Sequence, residues 1–448
     1  MQVKTSRRRR NGPHQFVVTR DGEGIANHAG SAALRELSDR LGLTSALSTA
    51  MISHRARRSA HDPGQILRDL VVMLADGGDC VSDLSALRDQ PALFGEVAST
   101  ATAWRLIAGM TEADLDRIRD ARRLARAKAW RGRSMPKDIV LDLDATLVTS
   151  HSEKENAAPN FKRGFGFHPV LCYVDQLEEA LAGKLRPGNA TANNTADNIE
   201  VLELALQQLP ASKHRRTILV RADSACATHS FVEKVREHEL TFSIGLDLYE
   251  PVRKAILNMD ERAWVPAIDQ DGEAREGAAV CELVNVDLRA WPAGTRAICR
   301  RERPHPGAQL TFTDAEGFRF QVFITDQVDA DIAHLEARHR GHARVENRIR
   351  CAKATGLEHF PFHDFLPNRV WLELVLAAQD LLAYFQRLCL RGEARAWEPQ
   401  TLRYRLLHTA ARLVHSGRRL LLRLQRTWRW TPILHHAFTR LRRIAFVT

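Results

Sequence analysis

Cysteine is scarce and unpatterned in this chain. Its seven cysteines (Cys80, Cys172, Cys226, Cys281, Cys299, Cys351 and Cys389) are odd in number, and none forms a CxxC pair. That excludes a disulfide framework and the usual zinc-ligand spacings, and it suits a reducing compartment. The N-terminus carries Arg7-Arg8-Arg9-Arg10 but no apolar core, so it does not read as a secretory signal. The longest apolar run, Val370 to Phe385, is broken by Glu373, Gln379 and Asp380, which excludes a membrane span there. Internal repeats and low-complexity linkers are absent too. A soluble, cytoplasmic protein is expected, with 44% apolar residues to fill ordinary cores and length for about three domains.

Acidic residues are also in deficit. The 65 Lys and Arg outnumber 54 Asp and Glu, for a net charge of +11. Such an excess points to a polyanionic partner, nucleic acid first. Arg outnumbers Lys and suits bidentate phosphate contacts, although a GC-rich genome raises Arg as well.

Taken in order, residues 1–25 read as a basic flexible arm. Residues 26–137 have helical periodicity: Leu34, Leu37 and Leu41 share one face, and Ile66, Leu67, Leu70, Val71 and Leu74 share another. Thr100 to Leu106 resembles the polar first turn of a DNA-recognition helix, or a plain bundle helix. Residues 138–250 change character. Strands are expected at 139–148, 165–174, 179–186, 216–222 and 241–246, with helices at 197–209 and 228–238. That succession predicts an α/β fold with a mixed sheet covered by helices. Residues 251–328 alternate again, with Phe318, Phe320, Val322 and Ile324 on one face and a turn at 313–317, and read as a β-rich insertion. Helix returns over 329–365, and 366–448 reads as a helical, basic C-terminal region.

Chemistry concentrates in carboxylates. In Ile139 to Val148, the strand period places Asp142 and Asp144 on one side of an otherwise apolar run. Acids there are costly without a partner, so either a cation sits beside them or they cap a strand end. Asp223 follows the strand at 216–222, where open sheets bind ligands. Glu346 lies on a helix whose face carries His342, Arg350 and Lys353. On its own that face also reads as a solvated salt-bridge surface; three carboxylates from two strands and one helix are what a two-metal phosphoryl-transfer site needs. Hard divalent ions take oxygen ligands, paired ions serve phosphoryl transfer, and neighbouring Arg and Lys hold phosphates.

In this order Asp144-Ala145-Thr146, Arg221-Ala222-Asp223-Ser224 and Glu346, with Asn347, Arg348, Ile349 and Lys353 behind it, resemble the DDE transposases of bacterial insertion sequences. The resemblance is to the branch whose RNase H-like core takes a β-strand insertion before the third acid. Phe165-Gly166-Phe167-His168-Pro169, Leu185-Arg186-Pro187-Gly188-Asn189 and Thr355-Gly356-Leu357 share it, so it spans about 138–360. It implies an RNase H-like mixed five-stranded sheet. It implies Asp144, Asp223 and Glu346 as catalytic metal ligands, with Asp142 a further candidate, for two Mg²⁺ ions that Mn²⁺ can replace. The reaction implied is cleavage of element ends and strand transfer into target DNA, by a homodimer on terminal inverted repeats, in a bacterial, nucleoid-associated setting. The family places a Tyr, an Arg, the Glu and a Lys along the last helix. Lys353 fits, whereas His339 stands at the Tyr position and His342 at the Arg position, with Arg340 and Arg344 nearby. DNA contacts are therefore expected from Arg221, His339, Arg340, His342, Arg344, Arg350 and Lys353.

Other features carry two readings. Trp264 and Trp291 are candidates for stacking on an unpaired base, or core residues. Arg418, Arg419, Arg423, Arg426 and Arg429 track DNA phosphate, or form a solvated helix face. His334, His339 and His342, spaced by five and three without Cys, read as surface histidines rather than zinc ligands. The competing functions are a catalytically inactive, sequence-specific DNA-binding protein derived from a transposase, and an RNase H-like nuclease that never joins strands.

Overall fold

The computed structural model describes residues 18–55, 61–131, 135–211, 216–304, 307 and 314–445. Arg7 to Arg10 of the expected basic arm lie outside them.

The strand beginning at Asp138 organises the molecule. In β1 (Asp138–Ala145), Ile139, Leu141 and Leu143 are wholly buried on one face, each worth roughly 2 kcal/mol of hydrophobic stabilisation. Four further strands join it: β2 (Val170–Val174), β3 (Glu179–Lys184), β4 (Thr217–Ala222) and β5 (Thr241–Leu246). Their spatial order is β3-β2-β1-β4-β5. The strands β1, β2 and β3 pair antiparallel, whereas β1, β4 and β5 run parallel. This is the expected mixed five-stranded core, except that the strand expected over 165–174 is split. Val170–Val174 joins the core, and Phe165–Phe167 pairs in a small separate sheet with Val148–Thr149 and Ala158–Pro159.

The β-rich insertion does not form a separate sheet. Its strands β6 (Val265–Ile268), β7 (Ala274–Glu282), β8 (Arg296–Glu302) and β9 (Arg319–Thr325) continue the core sheet. Strand β9 pairs antiparallel with β5, and β8, β7 and β6 follow outward, giving nine strands in all. The turn into β9 has Glu316 and Gly317 both at positive φ, the backbone of a tight two-residue hairpin connection. A helix unforeseen in the sequence, Glu250–Leu257, opens the insertion.

Helices cover the sheet. The N-terminal region packs as α1 (Ser31–Arg40), α2 (Leu43–Ala50), α3 (Pro63–Asp76), α4 (Thr100–Ala108) and α5 (Glu112–Ala129). The residues predicted to share faces are buried: Leu34, Leu37 and Leu41 on α1 and just beyond it, and Ile66 through Leu74 on α3. Within the core come α6 (Thr195–Gln208), which lies on β2 and β3, and α7 (His229–Glu237), which contacts β5. Then follow α8 (Ile332–Arg340), α9 (Arg344–Ala352) and α10 (Phe365–Cys389).

Helix α10 is roughly 37 Å long and buried along nearly all its length. The charges that interrupt its apolar run are paired rather than exposed. Arg122 of α5 bonds Glu373 at 2.5 Å and Asp380 at 2.9 Å, and Arg126 bonds Asp380 at 2.5 Å and Glu179 at 3.0 Å. No described helix is long and apolar enough to cross a membrane.

The C-terminal region corrects the expectation of an all-helical 366–448. After α10, β10 (Ala411–Ser416) and β11 (Arg419–Leu424) form an antiparallel hairpin, and Ile25–Ala26 adds a short strand against β10. Helix α11 (Thr431–Leu441) follows. Leu and Arg favour helix locally. Here Gly417 turns the chain at φ +58, and a partner strand remote in sequence selects the extended form. All seven cysteines are free.

Candidate active site

The acids singled out from the sequence lie at one edge of the sheet. Strand β1 runs parallel to β4 with Leu143 opposite Ala222, and one residue further the same register sets Asp144 beside Asp223. Asp223 is exposed and its carboxylate accepts from the Ala225 backbone N–H at 3.0 Å, which holds the chain in the turn leaving β4. Gly245 on the adjoining β5 leaves room for that turn, since a Cβ there would come 2.9 Å from the Ser224 nitrogen. Glu346 is exposed in the first turn of α9. That helix rests on β1 and is anchored by buried Val345 and Ile349.

Electrostatics bind the three together. Burial, with the negative charges of Asp223 and Glu346 adding and His342 and the Ala145 backbone N–H opposing, holds the Asp144 carboxyl up at about 6. A carboxylate raised by other carboxylates is one whose charge nearby cations leave uncompensated. All three offer oxygen donors, the type that hard divalent cations take, but their carboxylate oxygens do not all lie within 4.8 Å of one another.

Asp142 has a different environment, although it shares a strand face with Asp144. It is 2% exposed. Arg221, its cross-strand neighbour, donates to both of its oxygens at 2.8 and 2.7 Å, and His342 Nδ1 donates at 2.9 Å. Its candidacy as a metal ligand is therefore corrected: its oxygens are already taken by fixed cationic donors. The same geometry corrects Arg221 as a DNA contact. It is 1% exposed and also bonds Asp175 at 2.9 Å and the Arg338 carbonyl at 2.5 Å. Asp175, which nothing in the sequence marked, bridges Arg221 to Arg344.

The histidines divide as well. His339 is stacked on Phe323 with centroids 4.2 Å apart and bonds the Ser243 hydroxyl at 2.9 Å. Burial drives its pKa down to about 3, with His342 and Arg221 adding, so it is neutral. It is half-buried and packed against the sheet, which corrects its reading as a surface histidine and as a cationic DNA contact. His342 is largely buried against Asp142 and acts on Asp144 from behind.

The cations nearby are partly committed. Arg340 donates to the Ile268 carbonyl at 2.5 Å and lies 3.3 Å from Glu336, fastening α8 to the insertion rather than facing outward. Lys353 Nζ donates to the Leu147 carbonyl at 2.9 Å, in the loop that leaves Asp144. Arg344 and Arg350 are more than half exposed, and each holds an acid, Asp175 and Glu398. Trp264 lies 4.3 Å beneath the Arg301 guanidinium, and Trp291 lies 4.3 Å from the His229 ring. Both are half-buried and pack on the main core.

The glycine-bearing motifs have structural work. A Cβ on Gly166 would strike the Val148 carbonyl at 2.1 Å, and one on Gly188 the Ala158 carbonyl at 2.2 Å. Arg186, 1% exposed, bonds the His168 carbonyl at 2.8 Å. These close approaches stack the loops that follow β1 and β3.

The sheet order, the acids at the strand ends and the inserted strands define a mixed α/β fold, a large mixed sheet covered by helices. The sequence matches the family described as Transposase DDE domain group 1 over residues 9–446. The chain belongs to this family of DDE transposases. No curated protein matches it. Among solved structures it is similar to a piggyBac transposase in a synaptic complex with hairpin DNA, determined by cryo-EM. The TM-score is 0.45 at 9% identity, over 87% of this chain and 82% of that one.

Proposed function

We propose that this transposase cuts DNA at the ends of an insertion sequence and joins the freed ends to target DNA, with Asp144, Asp223 and Glu346 as the catalytic carboxylates. The observation that carries the reading is the elevated Asp144 carboxyl, raised by burial and by the other two acids. Such a cluster costs stability by itself and is relieved by divalent cations. Asp144, Asp223 and Glu346 would hold them, Mg²⁺ or Mn²⁺ in its place; a bound pair activates the attacking oxygen and stabilises the leaving one.

The chain's own groups have separate tasks. The paired Arg221 and Asp142 lock β4 to β1, so that Asp144 and Asp223 keep a fixed separation. Lys353 ties α9 to the loop after Asp144, which fixes Glu346 relative to both. Arg344 and Arg350, exposed on α9, are positioned to exchange their surface carboxylates for phosphate oxygens. Joining two element ends requires both in one complex, so the acting form is a homodimer on DNA.

The test uses purified protein, Mg²⁺ or Mn²⁺, and labelled duplexes bearing the terminal repeats that flank the gene. Cleavage at the repeat boundary, lost in Glu346→Gln, is the expected result. Binding without cleavage under either metal would instead favour an inactive DNA-binding protein. Cleavage that never yields joined strands would favour a nuclease.

A further inference from the structure

Charge is unevenly distributed along the chain. All 54 Asp and Glu precede residue 399; of the 65 Lys and Arg, 11 follow it, all of them Arg, which leaves 54 before it. The first 398 residues are thus formally neutral, and the last 50 carry the whole net charge of +11. Elsewhere Arg side chains are matched to acids, as Arg122, Arg126, Arg221 and Arg344 are.

The hairpin β10–β11 displays part of this excess. Arg412 lies directly opposite Arg423, and Ser416 opposite Arg419. By the strand period, Arg412, Arg419 and Arg423 share one face, and all three are exposed. None of the three forms a side-chain ion pair among the described residues. Like charges directly opposite across a ladder are destabilising, and no acid lies on either strand to offset them. The opposite face, with Leu413 and Leu422, is half-buried. The hairpin is tied down at its base: Ile25 pairs with Arg412, and His408, just before β10, reaches Asp76 at the end of α3.

We infer that the Arg412–Arg419–Arg423 face of this hairpin is a docking surface for the phosphate backbone of duplex DNA, engaged without regard to sequence. Its ligand is a polyanion, because every charged residue on the face is a cation, beside Val414, Ser416 and Leu421. Arg offers a planar fork that matches phosphate oxygens. Reading base edges requires side chains locked by supporting contacts, and these three have none among the described hydrogen bonds, so they serve position rather than specificity. Choosing DNA among polyanions rests on the transposase reading. The surface lies outside the acid site, so it can be tested separately.

Full-length wild type and the triple variant Arg412→Gln/Arg419→Gln/Arg423→Gln are titrated, without divalent metal, against labelled duplexes of random and of element-end sequence over a salt series. The slope of log affinity against log salt is expected to become shallower by about 2 to 3, near 0.9 for each phosphate no longer neutralised, and equally for both duplexes. The matching Arg→Lys triple variant should keep the wild-type slope, which separates charge from folding. An unchanged slope in the Gln variant overturns the inference. So does a loss confined to the element-end duplex, or binding to anionic phospholipid vesicles that the substitutions weaken while DNA binding stays intact. Failure of the function is distinct: Glu346→Gln should retain the full salt slope. A wild type that never cleaves but shows the slope change would remove the catalytic reading and leave this surface standing.

Discussion

Where α5, α10 and β3 meet, Glu373, Asp380 and Glu179 are as buried as any leucine, yet each faces a guanidinium from Arg122, Arg126 or Arg387. At the ends of β1 and β4, Asp144 and Asp223 face each other and Glu346 instead. The buried cluster opposes the burial penalty with charge. For Glu373, desolvation raises the pKa, but Arg122 and Arg119 outweigh it and hold the carboxyl below its ordinary range. In the edge cluster Asp223 and Glu346 act in the same direction as burial, His342 only partly offsets them, and Asp144 is pushed up to about 6. The contrast recurs within one strand, because Asp142 is fully partnered two residues from Asp144. The difference lies in the partners: burial still raises Glu179, but its main neighbours are guanidinium groups that oppose it, whereas two of the neighbours of Asp144 are further acids.

The largest expected effect is catalytic. Asp144→Asn or Asp223→Asn should reduce cleavage of an element-end duplex by roughly 10³-fold or more, with a melting temperature no lower than wild type, since removing one charge relieves repulsion. Wild-type cleavage rates in both variants would end the assignment.

The compensated acids should respond in the opposite sense. Asp380→Ala or Asp142→Ala strips a buried guanidinium of one of its two acids and should lower the unfolding free energy by about 3 kcal/mol, measured by urea denaturation. A loss below about 1 kcal/mol in both would mean that water reaches these arginines and that the two clusters do not differ in kind.

A smaller effect sharpens the edge cluster itself. Mg²⁺ or Mn²⁺ at 100 times its dissociation constant should stabilise the wild type by about 2.7 kcal/mol and should not stabilise Asp144→Asn/Asp223→Asn. Equal stabilisation of both proteins would place the ion elsewhere.

The smallest effect concerns an acid whose compensation titrates. Asp76 is held by His28 at 2.6 Å, by His408 and by the Ser31 hydroxyl, and these lower its pKa well below 3.8 despite burial. The hydrogen bond to Asp76 raises His408 above 6.5. For the depressed acid, the native state binds fewer protons, so its contribution is present above pH 3.8 and lost as pH falls. For the raised base, the contribution is complete below pH 6.5 and lost as pH rises through its folded value. Stability from this contact should peak between about pH 4 and 6.5, and His408→Gln should flatten the alkaline decline seen in thermal melts. An alkaline decline unaltered by that substitution would show that His408 is not the titrating partner.

Much of this was legible in the sequence. The alternation of Ile139 to Leu143, the helical spacing on α1 and α3, and the strand–helix succession over 138–246 are local patterns, and they fixed the elements. The order of Asp144, Asp223 and Glu346 marked the acid edge because an acid within or just after an apolar strand is anomalous without a purpose. What stayed hidden was pairing. Nothing in residues 251–328 shows that β9 adds to β5, because ladder partners are remote in sequence. The helical reading of 411–424 was wrong for the same reason, since Ile25–Ala26 and the Gly417 turn decide it. Asp142 and Asp144 look equivalent in one dimension, and only the placement of Arg221 opposite Asp142 separates them. His339 and Arg340 read as surface residues until packing stacked the first on Phe323 and tied the second to Ile268.

The sequence by itself determined the elements, the excess of positive charge, the family motifs and the acids in their order, because each is carried by near neighbours or by composition. Tertiary structure alone decided which acids are paired and which are left to one another, which arginines face acids, and how the insertion extends the sheet. Those outcomes depend on contacts between residues up to hundreds of positions apart, such as His342 with Asp142, and no local pattern encodes them.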